Sequence, residues 1–105
     1  MLMGMMNMET ISMYSPLPEQ LKIMDSDIHG QGLFTIEDLP GGAYLGVTHI
    51  HKAKELFRTP LGGFINHSDT PNCFILDNST ESSLYTVRPI KEGEELTVYY
   101  RRYNV

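Results

Sequence analysis

Apolar residues fall along this chain in short runs, each closed by glycine, proline or small polar residues. The runs are LKIMD from residue 21, LFTI from 33, AYLGV from 43, CFIL from 73, LYTV from 84 and ELTVYY from 95. Their length, their β-branched and aromatic content, and the punctuation by Pro40-Gly41-Gly42, Gly62-Gly63, Pro71, Pro89 and Gly93 predict short strands joined by tight turns. The chain therefore reads as a mainly β domain. One stretch differs: HKAKELF, residues 51–57, predicts a short helix, stopped by Thr59-Pro60 because the residue before a proline is pushed out of the helical region. Residues 83–100 read as a strand, a turn and a second strand. In ELTVYY, alternation places Leu96, Val98 and Tyr100 on one face and Glu95, Thr97 and Tyr99 on the other. Tyr100 thus travels with two aliphatic residues, its ring toward the core and its hydroxyl seeking a polar partner.

Composition narrows the class. With 105 residues the chain holds one domain and one modest core. The apolar fraction of 41% and charged fraction of 20% are ordinary for a globular protein, and no apolar run approaches a membrane span. Eight basic and 13 acidic side chains give a net charge of -5. That argues against a nucleic-acid ligand, which calls for a basic face, and suits a cationic partner such as a lysine-bearing peptide. The single cysteine, Cys73, excludes a disulfide within the monomer and fits a reducing, intracellular setting. The methionine-rich start has no basic residue before Lys22 and is broken by Gly4, Asn7 and Glu9, so it is not read as a secretion signal. Residues 1–20 are taken as a partly ordered N-terminal segment and 21–105 as the domain.

Three clusters could carry chemistry. Gly30 and Gly32 in HGQGLF allow a tight turn and close approach of backbone to a ligand; this is no dinucleotide fingerprint, since the third glycine and the long helix are missing. The stretch GGFINHSDTPNC, residues 62–73, gathers two amides, an imidazole, a hydroxyl and the only thiol. A side-chain-stabilised turn would explain it. So would metal ligation by His49, His51, His67 and Cys73, although the spacing is looser than zinc sites show and the expectation is no metal. A Cys73–His67 nucleophile pair is a further reading. Third comes GEELTVYY, ending in paired tyrosines. A phenol of ordinary pKa about 10 is a poor base at neutral pH but a good orienting group.

The order of these motifs resembles the SET domain family of protein lysine methyltransferases, with INHSDTPNC followed by GEELTVYY as the specific pair. The likeness covers roughly residues 21–103. It implies the SET (β-clip) fold, in which the Asn-His-Ser segment and the final strand meet in a pseudoknot-like crossing. It also implies S-adenosylmethionine as cofactor and transfer of its methyl group to the side-chain amine of a lysine-bearing protein, histone tails being the familiar target. By the same resemblance Gly30, Gln31, Gly32 and Leu33 would lie against the methionine end of the cofactor. Phe64, Asn66 and His67 would complete that binding site, Tyr100 would be the active-site tyrosine, and Tyr44 would line the substrate channel.

The chain departs from the family's pattern in several places. Few residues separate Val47 from Gly62-Gly63, where the family usually inserts part of its peptide groove. No cysteine-rich tail follows Tyr100. Gly63 stands where an arginine often precedes Phe-Ile-Asn-His-Ser, and Ile75 and Val98 are aliphatic where the family often has aromatic residues. Very short SET domains of this kind resemble viral ones, where dimerisation compensates for missing parts, so a homodimer is expected. The alternative reading is a SET-like module that binds a peptide or partner without catalysing transfer.

Overall fold

The structure, a computed structural model, describes residues 17–99. Eight strands and one short helix follow the chain: β1 (Leu21–Asp25), β2 (Gln31–Thr35), β3 (Tyr44–Lys52), β4 (Glu55–Arg58), α1 (Pro60–Phe64), β5 (Asn66–His67), β6 (Cys73–Asp77), β7 (Glu81–Thr86) and β8 (Glu95–Val98). They form two four-stranded sheets, ordered β1-β2-β8-β5 and β4-β3-β7-β6. Neighbouring strands are antiparallel, except that β5 runs parallel to β8, with Asn66 opposite Thr97 and His67 opposite Val98. The Ser68 N–H donates to the Val98 carbonyl at 2.9 Å and extends that pairing. The Asn-His-Ser segment thus lies directly along the last strand, the crossing that the resemblance implies. Among the described residues no helix is long and apolar enough to cross a membrane.

Both sheets feed one apolar core. Leu33 and Leu96 from the first sheet and Leu84 from the second are fully buried, joined by Leu45, Ile65 and Ile90. At about 25 cal/mol per Å² of apolar surface, each such leucine contributes roughly 1.5–3 kcal/mol, and these burials fix the strand faces. Cys73 belongs to this core, 1% exposed, and burial pushes its thiol up to about 12. A thiol so placed is a packing group, which removes it as partner for His67 in a nucleophile pair.

Two local readings are corrected. Residues 51–57 do not form a helix: they finish β3, turn at Ala53-Lys54 and return as β4. The pairs Ile50–Phe57, His51–Leu56 and Lys52–Glu55 supply ladder hydrogen bonds and cross-strand contacts, whereas an isolated two-turn helix is too short to sustain itself. The turn is tight enough to force Ala53 to φ 57°, a left-handed conformation that disfavours a Cβ. Thr59-Pro60, read as a stop signal, is a start. The Thr59 hydroxyl accepts from the Gly62 N–H at 3.3 Å as the cap of α1, and Pro60 occupies the first turn, where it sacrifices no helical hydrogen bond. Gly62 lets this helix press on β3, because a Cβ there would strike the Thr48 carbonyl.

β8 is also clamped by the Pro-Asn-Cys part of the motif. Asn72, buried, donates from Nδ2 to the Glu95 carbonyl at 2.9 Å, and its Oδ1 accepts from the Thr97 N–H at 2.9 Å. One amide therefore stands in for two ladder bonds along the edge of β8, and the cost of leaving such buried groups unpaired is removed.

Candidate functional site

The site forms where the β1–β2 turn, the start of β5 and the start of β8 meet. Asn66 opens β5 immediately after α1 and points its amide nitrogen at the turn. Nδ2 donates toward the Glu95 carboxylate (2.9 Å), the carbonyls of His29 (3.1 Å) and Gln31 (3.2 Å), and the Ser26 hydroxyl (3.2 Å). Ser26 donates in turn to both carboxylate oxygens of Glu95, at 2.7 and 2.9 Å. Its oxygen accepts from the Ile28 N–H at 2.9 Å, which holds the turn in shape. Elements far apart in sequence are thereby tied at one point.

Gly32 is what lets them approach. A Cβ at this position would overlap the Glu95 carboxylate and come within 3.0 Å of Asn66 Nδ2. The Gly-x-Gly signal therefore has a steric cause at its second glycine. Gly30 has a conformational one, with φ 50° in the turn. Gln31 reaches the cluster through its carbonyl. Leu33 directs its side chain into the core, fully buried, so only its backbone is available to a ligand. Phe64 is half-buried and packs against the core from the end of α1.

His67 follows on β5. Its Nε2 lies 3.1 Å from Asp69 Oδ1, and its ring stands edge-on to Tyr99, centroids 4.9 Å apart and planes at 87°. Beyond Glu95, Thr97 is buried beneath Asn72, while Tyr99, just past β8, is half exposed and meets His67 on one side of its ring. Tyr100 lies outside the described residues.

Tyr44 is placed elsewhere. It begins β3 in the second sheet, is 56% exposed, and stands opposite Tyr85, ring centroids 5.4 Å apart. Tyr85 stacks on Phe74 at 5.5 Å and 17°. Three rings on neighbouring strands form a row across that sheet, and Tyr44 is not part of the Asn66 cluster.

The histidines considered as metal ligands have other company. His49 is buried, with Nδ1 2.8 Å from the Thr48 hydroxyl; burial, then Arg58 and His51, lowers its pKa. His51 Nε2 lies 3.1 Å from the Ser82 hydroxyl, which donates to Asp77 at 2.6 Å. Among the described residues no three His, Cys, Asp or Glu side chains converge as a metal site would require.

Two members of the site, Ser26 and Glu95, were not among the residues singled out in the sequence. Glu95 carried a signal, as the first polar position of β8 in the GEEL motif. Ser26 carried none beyond turn chemistry, because its partner lies 69 positions away.

Comparison with known proteins agrees with this geometry. The SET domain family matches the chain over residues 13–101, and the chain belongs to that family, whose enzymes are methyltransferases. Among solved structures it is similar to a candidate histone methyltransferase of Plasmodium falciparum, with a TM-score of 0.67 and 17% identity over 82% of this chain and 96% of that one. At this identity the likeness bears on the fold. No curated protein sequence matches the chain.

Proposed function

We propose that the protein is an S-adenosylmethionine-dependent methyltransferase acting on the side-chain amine of lysine in a protein substrate. The observation that carries this reading is the convergence of Gly32, the Gln31 carbonyl and Asn66 beside the last strand of a SET fold. The acceptors of the cluster fit the cofactor. The cofactor's amino-acid end carries an ammonium, and the cluster offers it the Asn66 amide oxygen beside the Glu95 carboxylate. Gly32 lets the Glu95 carboxylate and the Asn66 amide close on the backbone of β2 and so completes that cluster. Bound there, S-adenosylmethionine supplies an electrophilic methyl group on a cationic sulfur.

The protein's own work is alignment and desolvation. Lysine in water has a pKa of about 10.4, so at pH 7 roughly one side chain in 2,500 is neutral, and restoring the neutral form costs about 4.6 kcal/mol. A dry channel favours the uncharged amine, and a neighbouring cation does so by repulsion. No side chain then has to act as a strong base. What is required is a hydroxyl that orients the amine in line with the methyl, and by resemblance Tyr100 supplies it, one step beyond the His67–Tyr99 contact. The acidic net charge of -5 favours encounter with lysine-rich partners.

The reading is tested by calorimetry with S-adenosylmethionine, followed by methyl transfer in the wild type and in Tyr100→Phe. Binding by both, with transfer reduced about a hundredfold or more in the variant, is expected. A partner-binding module without catalytic function would give no heat with the cofactor. Full turnover by Tyr100→Phe would remove that tyrosine from the mechanism.

A further inference from the structure

The hydrogen bonds around Asn66 hold more acceptors than its amide has protons. Nδ2 carries two hydrogens, yet four acceptors converge on it within 3.2 Å: Glu95, the His29 and Gln31 carbonyls, and Ser26. A charged acceptor makes the stronger bond, and Glu95 is also the nearest, at 2.9 Å. The carboxylate is itself held. Ser26 spends its one proton on the pair of Glu95 oxygens, at 2.7 and 2.9 Å, while its own oxygen is fixed by the Ile28 N–H. Among the described residues no lysine or arginine forms an ion pair with Glu95, and Gly63, beside the motif, brings no cation. Among the described residues the side chains that hold the Glu95 carboxylate are therefore the Ser26 hydroxyl and the Asn66 amide.

The effect of the carboxylate is to choose the amide's orientation. Turning the Asn66 side chain over would set Oδ1 against a carboxylate and two carbonyls, with four acceptors and no donor between them but the Ser26 proton. With Nδ2 directed at these acceptors, Oδ1 has no hydrogen-bond partner among the described residues.

We propose that Glu95, held by Ser26, is a positioning residue that locks the Asn66 amide with its nitrogen inward, so that Oδ1 is presented to the ligand's ammonium group and the site selects an aminoacyl nucleoside over a plain nucleoside. This rests on the preceding reading that the site takes S-adenosylmethionine. The carboxylate also contributes directly, since a cationic amino group is drawn to it.

The test measures calorimetric affinity of the full chain for two ligands. S-adenosylhomocysteine has the amino-acid group, and methylthioadenosine lacks it. Glu95→Gln keeps the shape but removes the charge and allows the amide to turn over. It weakens S-adenosylhomocysteine binding about tenfold and leaves methylthioadenosine within about twofold. Ser26→Ala, in the turn, produces a smaller loss of the same selectivity, about threefold, and carries the test alone if Glu95→Gln fails to fold. In an Asn66→Ala background the selective loss from Glu95→Gln shrinks, because there is no amide left to position. Without any ligand, the Asn66 side-chain amide protons move upfield in the NMR spectrum of Glu95→Gln. Equal weakening of both ligands, an unchanged amide resonance, or unchanged affinity for both would overturn the positioning role while leaving cofactor binding in place. A wild-type protein that binds neither ligand would overturn both proposals.

Discussion

Gly32→Ala places one methyl group where three groups of the site meet. The added Cβ would overlap the Glu95 carboxylate and press on Asn66 Nδ2 at 3.0 Å. The backbone itself does not object, because Gly32 is not among the positive-φ residues; an alanine there would even gain about 0.4–1 kcal/mol by restricting the unfolded chain. The carboxylate must therefore swing away, breaking its bonds from Ser26 and Asn66. Hydrogen bonds to charged groups are worth about 1.5–3 kcal/mol each. Water reaches this half-buried site and repays part of the loss, so the net destabilisation is about 2 kcal/mol. In urea denaturation, with a slope of about 1–2 kcal/mol/M for a domain of this size, the midpoint falls by roughly 1–2 M. The steric cause has a signature of its own. In Gly32→Ala/Glu95→Ala the obstructing carboxylate is gone, and the double variant is more stable than the sum of the single losses by about 1–2 kcal/mol. A Gly32→Ala midpoint within 0.3 M (roughly) of wild type, or strictly additive losses, would refute the packing described at this glycine.

Three further outcomes follow from the fold. Ala53→Gly relieves the left-handed conformation in the β3–β4 turn and raises stability by about 0.5–1 kcal/mol, read as a higher thermal midpoint. Asn72→Ala leaves the Thr97 N–H and the Glu95 carbonyl without their partner and costs about 2–4 kcal/mol, with Asn72→Asp intermediate because it keeps only the acceptor. His49 has its pKa lowered in the folded state, chiefly by burial, so below the ordinary histidine value of about 6.5 the unfolded chain binds the extra proton first. Stability is full above that pH and falls as the pH drops toward the folded pKa, with a slope of at most about 1.4 kcal/mol per pH unit; denaturation midpoints at pH 7.5, 6.5 and 5.5, compared with those of His49→Gln, check it.

Much of this architecture was legible in local pattern. The runs at 21, 33, 43, 73, 84 and 95 are strands because their apolar residues alternate or pack on both faces, and their boundaries are set by glycine and proline chemistry that acts within a few residues. Residues 51–57 form strands instead of the helix that their local sequence predicts, for a physical reason. Lys52, Ala53, Lys54 and Glu55 favour a helix locally, and only the pairing of β4 with the second half of β3 and the tight turn at Ala53 decide for strands. Thr59-Pro60 has two meanings, stop and cap, and which applies depends on whether the preceding segment is helical. The site was half legible. Asn66 and Gly32 stood out by motif. Ser26 did not, because its role appears only when β8 brings Glu95 against the β1–β2 turn across 69 positions of sequence. Tyr44 shows the converse limit: its motif marks its place on β3, while its ring neighbour, Tyr85, is set by the pairing of β3 with β7.

The most direct measurement of the central claim is mass spectrometry of proteins incubated with this chain and isotopically labelled S-adenosylmethionine. The predicted result is labelled methyl groups on lysine side chains of a discrete substrate with the wild type, and their loss with Asn66→Ala and Tyr100→Phe. A chain that binds the cofactor yet labels no lysine in any protein offered, or labels equally well without Asn66 and Tyr100, would contradict the account.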